Sequence, residues 1–158
     1  MRCASSTLGA VTTHMSVKVR PEQMEVFQPV AEAAFARRLT EYLRRAHSGL
    51  SVRIPPGATL IKRIPAAVLT RMVQNGIERG RAYGLSWESS LAAFVLIMFV
   101  AAPNFDQHPL IQRVLRDDDA SPDGRIESLW SRISNENWRA VEAYYDPRAW
   151  GLGDQEEW

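Results

Sequence analysis

Apolar residues recur at three- and four-residue steps through Met24, Phe27, Ala31, Ala34, Phe35, Leu39, Tyr42 and Leu43. That spacing predicts a helix with one apolar stripe, opened by Pro21, with Glu22 and Glu25 suited to its positive N-terminal end. Pro29 interrupts the pattern and predicts a kink or a division, and Gly49 is the expected stop. Arg37, Arg38, Arg44 and Arg45 lie mostly off the stripe and read as a solvated face. From Leu50 to Ile64 the helical period is lost around Pro55-Pro56-Gly57, which predicts an extended connection anchored by Ile54, Leu60 and Ile61. A second helix is expected from Pro65, with Val68, Leu69, Met72, Val73 and Ile77 inward. Gly76 and Gly80 fall inside it, where each costs about 1 kcal/mol relative to Ala. A compensating close crossing by another helix is therefore expected there, with Gly84 as terminator.

Ser86 has the chemistry of an N-cap and Glu88 follows in the first turn of a third helix. Leu91 to Val100 is apolar on every side, the pattern of a helix enclosed by its neighbours, and Pro103 stops it. The uninterrupted apolar run, Leu91 to Ala102, has 12 residues, well short of the roughly 20 that span a bilayer. Shorter helices are predicted over Pro109–Leu115, Arg125–Ile133 and Asn137–Tyr145, the last capped by Asn135. Trp130, Trp138 and Tyr144 read as the rim of a core. The expected fold is all-α: a compact bundle of five to six helices around a central apolar helix at about 87–102. One domain is expected over 20–146, with a flexible segment at 1–19 and a tail at 147–158. Trp150 and Trp158 make that tail either a folded-back element or a partner-seeking peptide.

With 158 residues and 46% apolar content, the chain suits one globular domain rather than a disordered one. Its single Cys, Cys3, excludes an internal disulfide framework and a Cys-based zinc site. Residues 1–19 lack the apolar stretch of a secretory signal, Met15 is a possible start, and a cytoplasmic protein is expected. The net charge of +1 hides an asymmetry. Residues 1–81 carry 13 Arg or Lys against 5 acids, and residues 82–158 carry 6 against 13. Two complementary halves packed together explain this; a dipolar surface that orients a partner is the sharper alternative. No nucleic-acid motif accompanies the basic half, so no nucleic-acid partner is expected.

Motifs for chemistry are weak. Asp119, Ser121 and Asp123, then Gly124, Ile126 and Glu127, follow a calcium-loop pattern, but its bidentate Glu is replaced by Trp130. A polar turn explains the same residues. His14, His47 and His108 have no ligand spacing, so neither metal nor cofactor is expected. Gly84-Leu85-Ser86 matches only the start of a nucleophile elbow and lacks the preceding strand. Asp106 and His108 form the least implausible acid–base pair.

Three short segments carry a resemblance. Val19-Arg20-Pro21-Glu22-Gln23-Met24 leads to Phe27 and then Phe35-Ala36-Arg37-Arg38-Leu39; Asn75-Gly76-Ile77-Glu78-Arg79-Gly80-Arg81-Ala82-Tyr83-Gly84 follows. The third runs from Leu96-Ile97-Met98-Phe99 to Asn104-Phe105-Asp106 and Pro109. Over residues 17–130 the chain resembles small bacterial helical proteins encoded in type VI secretion effector and spike gene clusters. It departs from them in its Pro-rich insert and its Trp-containing C-terminal extension. The resemblance implies a non-enzymatic adaptor or chaperone that binds a toxin or spike component. An immunity protein, presenting Asp117, Asp118, Asp119 and Asp123 to a basic toxin groove, is the alternative. Phe105, Asp106 and Trp150 are the residues expected to contact a partner.

Overall fold

The computed structural model describes residues 21–153, and their side chains from Pro29 onward. Expectations for the 1–19 segment, for Met24 and Phe27 on the first stripe and for Trp158 lie outside the described side chains. Among the described residues there are six helices and one small hairpin: α1 (Pro21–Ala46), β1 (Ser51–Ile54), β2 (Gly57–Leu60), α2 (Ala66–Ala82), α3 (Glu88–Val100), α4 (Pro109–Leu115), α5 (Pro122–Arg132) and α6 (Asn135–Ala143). Short 3-10 turns lie at Ile61–Arg63, Phe105–Gln107 and Pro147–Trp150. The expected all-helical bundle is therefore present, and no helix among the described residues is long and apolar enough to cross a membrane.

Pro29 lies inside α1 without dividing it. It falls in the third turn, and the helix continues for another 17 residues beyond it to Ala46, where Leu39 and Leu43 bury the stripe. The extended connection turns out to be an antiparallel hairpin. Ser51 pairs with Leu60 and Ile54 with Gly57 across a cis Pro55–Pro56 turn. Val52 and Ile54 alternate inward while Ser51 and Arg53 face out, the period-2 pattern of a half-buried strand. Arg44 of α1 donates to the Ile64 carbonyl and holds the hairpin's exit against the helix.

The closest packing is between α2 and α3. An added Cβ at Gly76 would meet Met98 Sδ and Val95 Cγ2, each at 2.8 Å; one at Gly80 would meet Leu91 Cδ2 at 2.9 Å. The expected close crossing thus falls at the two glycines, and the third helix is the element that makes it. The enclosure of α3 is one-sided, however. Leu91, Phe94, Val95, Ile97, Met98 and Phe99 are buried, whereas Ser89 and Val100 are exposed, Val100 to 57%, and Ala93 and Leu96 between them are half-buried. Steps of four, three and four residues place those side chains on one helical face, and no described element covers it fully.

Gly76→Ala is expected to lower stability by about 1–2 kcal/mol, because the stiff Val95 cannot yield and overpacking outweighs alanine's helix preference. Gly49→Ala, with nothing within 4 Å of its Cβ, is expected to change it by less than about 0.5 kcal/mol. Urea denaturation measures both; equal midpoints would refute the tight crossing.

Candidate functional site

Asp106 carries the one predicted contact that the fold brings to a cavity. Phe105 and Trp150 are fully buried, a correction to their expected contact with a partner. Phe105 packs on Phe94 with ring centroids 4.8 Å apart, and Trp150 packs on Phe99 at the same distance. The tail therefore folds back through Trp150, whose indole N–H donates to the Arg53 carbonyl and to the Tyr145 hydroxyl, both at 3.2 Å. Gly151 leaves this turn with φ +72°, and its Cα faces Asn75, whose amide donates to the Ala149 carbonyl at 2.9 Å.

Arg79 of α2 organises this region. Its guanidinium donates to the Pro103 carbonyl at 2.6 Å, to the Ala149 carbonyl at 3.0 Å and to the Asp106 carboxylate. A single cation thus satisfies two chain carbonyls and one 4% exposed carboxylate, groups that would each be costly to leave unpaired. Tyr83, one turn on, donates its hydroxyl to the Asp106 carbonyl at 3.1 Å. Burial, and next the Asp106 negative charge, push that phenol up from its ordinary value.

Beside this knot opens a cavity of about 530 Å³. Arg79, Tyr83, Asp106, Arg116, Asp118 and Arg125 give it its polar lining, with Ala82 and Leu115 as apolar wall. His108 is not among its lining residues. Its Nδ1 accepts from the Leu110 N–H at 3.3 Å, capping α4, and its ring lies edge-on to Tyr144 at 5.4 Å. The Asp106–His108 pair therefore shares no cleft, because each side chain is committed elsewhere.

The acidic loop is largely structural. Asp123 is buried in the first turn of α5 and grips the start of α3. Its Oδ1 accepts from the Ser86 and Trp87 N–H groups at 3.1 and 3.0 Å, and its Oδ2 accepts from the Ser86 hydroxyl at 2.7 Å. This corrects one expectation: Ser86 is not the cap of α3, and Asp123 accepts the N–H groups at its start instead. The α5 cap is Ser121, which accepts from the Gly124 N–H at 3.1 Å, and the α6 cap is Ser134 rather than Asn135. No group of three or more metal-ligating side chains occurs among the described residues.

A second surface feature lies where α3 meets α5. Ser89, Ser90 and Ala93 floor a notch of about 220 Å³ walled by Ile126 and Trp130, with Glu127 at its rim. Trp130 is 64% exposed and leans on Trp138 with centroids 5.4 Å apart. It was expected at a core rim, yet most of its surface meets water, as does that of Tyr144. The signal for it in the sequence is the set of small residues Ser89, Ser90 and Ala93 on the otherwise bulky α3.

No protein-family model, curated protein or solved structure matches this chain.

Burial opposes ionisation of Asp123, but the donors from Trp87, Ser86 and Ser90 outweigh it and hold the carboxyl at about 2, below its ordinary value of 3.8. A carboxyl lowered on folding stabilises the fold above its unfolded value, and that contribution fades as pH falls through the folded one. Unfolding free energy should therefore drop between about pH 4 and pH 2. Asp123→Asn should be less stable at pH 7 by about 1–3 kcal/mol and should flatten that acid slope. An unchanged slope in urea titrations of the variant would contradict this role.

Proposed function

We propose that the chain is a non-enzymatic accessory protein of a type VI secretion effector cluster, binding a toxin or spike component as an adaptor or chaperone. The resemblance over residues 17–130 supplies the cluster. The observation that carries the binding role is the α3–α5 surface: the notch floored by half-buried Ala93, with Trp130 exposed at its wall. Exposed tryptophans beside small-residue hollows supply large buried area on association at low entropic cost. The notch suits one bulky apolar side chain, and Glu127 at its rim suits a neighbouring Lys or Arg. The fitting partner is a protein segment with an apolar anchor flanked by positive charge.

The inhibitor reading is supported less well. It needs the four acidic side chains free to face a toxin, yet Asp117 pairs with Arg132 and Asp123 is spent on the start of α3. Asp118 and Asp119 remain at the surface.

Purified chain should retain the effector or spike protein encoded beside it. Trp130→Ala should weaken that complex at least about tenfold, as a central aromatic anchor does, with an unchanged melting temperature. Failure of every adjacent gene product to bind in repeated pulldowns would overturn the proposal. Rescue of cells from the neighbouring toxin without any effect on delivery would favour the inhibitor.

A further inference from the structure

The cavity beside Arg79 has more positive than negative charge and donors left over. Three guanidinium groups line it against two carboxylates. Asp106 is already neutralised by Arg79, and the Asp118 side chain is fully solvated at the mouth. Arg125 is held rigidly, its side chain 16% exposed, with Nε donating to the Ala120 carbonyl at 3.0 Å and Nη1 to the Leu115 carbonyl at 3.2 Å. Its Nη2 lies 3.7 Å from Asp118, too far for a hydrogen bond. The Arg116 guanidinium has no hydrogen-bond acceptor among the described residues. Arg116 is exposed to solvent and lines the cavity together with Tyr83 and Arg125.

We propose that this cavity binds an oxyanion group, a phosphate or a carboxylate, between the forks of Arg116 and Arg125. Guanidinium presents paired N–H donors in the geometry that such groups accept two at a time. Leu115, itself buried, gives the cavity an apolar wall beside Arg125, which strengthens a charged contact there. The volume is within the range of small-molecule sites. Arg125 is pre-positioned by its two carbonyls, so its free donors lose little freedom on binding. Asp118 competes for Arg125 and sets a limit on affinity. The site does not depend on the adaptor reading, because it lies on different residues from the α3–α5 notch.

The test is an NMR titration of the full chain, reading the arginine side-chain N–H resonances at constant ionic strength. Inorganic phosphate is the probe in one arm and succinate in the other. Saturable shifts of Arg116 and Arg125 in either arm are expected, and the tighter arm identifies the source of the oxyanion. Arg116→Gln should weaken binding about tenfold, while Arg37→Gln on exposed α1 should leave it unchanged. Asp118→Asn should tighten it about twofold to fivefold, because it frees Arg125. Linear, unsaturated shifts in both arms would overturn the proposal. So would equal affinity in Arg116→Gln and Arg37→Gln, or weaker binding in Asp118→Asn.

Discussion

One guanidinium joins three parts of this molecule that are far apart in the chain. Arg79 takes the carbonyl of Pro103, just after α3, the carbonyl of Ala149, just before Trp150, and the carboxylate of Asp106 between α3 and α4. A partly buried cation is stable only when acceptors replace its lost water, and a buried carboxylate needs donors in the same way. Each group here is the solution to the other's problem. The arrangement explains why the C-terminal turn can seat a tryptophan in the core. It also ties the short 3-10 turn at Phe105–Gln107 to α2 and to the C-terminal turn.

Much of the helical layout was legible because period and punctuation act locally. The inward faces of α2 and α4 follow from three- and four-residue spacing, and Pro109 opens its helix. Gly76 and Gly80 announced a close crossing because glycine is costly inside a helix unless something needs the room. What escaped depended on partners distant in sequence. Ser86 has the right chemistry for a cap, but Asp123, 37 residues later, does that work from another helix. The hairpin has strands of only four residues, too short for alternation to stand out beside two prolines. α5 begins at Pro122 rather than Arg125 because Ser121 caps it, whereas the Asp and Gly that follow read as turn formers.

The candidate sites show the same division. Phe105 follows a helix stop and Trp150 lies in the tail, places that suit contact with a partner, yet both are core, held by Phe94 and Phe99. Asp106 sits at a cavity, but sequence could not supply Arg116 and Arg125 as its companions, since three segments meet there only in the fold. The divided charge of the chain is partly consumed internally. Arg38–Glu88 and Arg79–Asp106 join the basic half to the acidic half, while Arg132–Asp117 and Arg125–Asp118 settle charges within the acidic half. The notch between α3 and α5 is walled by Ile126 and Trp130, whereas the cavity beside Arg79 is lined mainly by charged groups.

Hydrogen exchange in an Arg79→Gln variant tests the central tie most directly. The Trp150 indole N–H and the amides of Phe105 and Gln107, whose carbonyl partners are Ala102 and Asn104, should lose protection together, by at least about tenfold. Amides of α3 beside the glycine crossing, such as Val95 and Met98, should keep theirs. Undiminished protection of the Trp150 indole in that variant would contradict the claim that Arg79 fastens the C-terminal turn to the body.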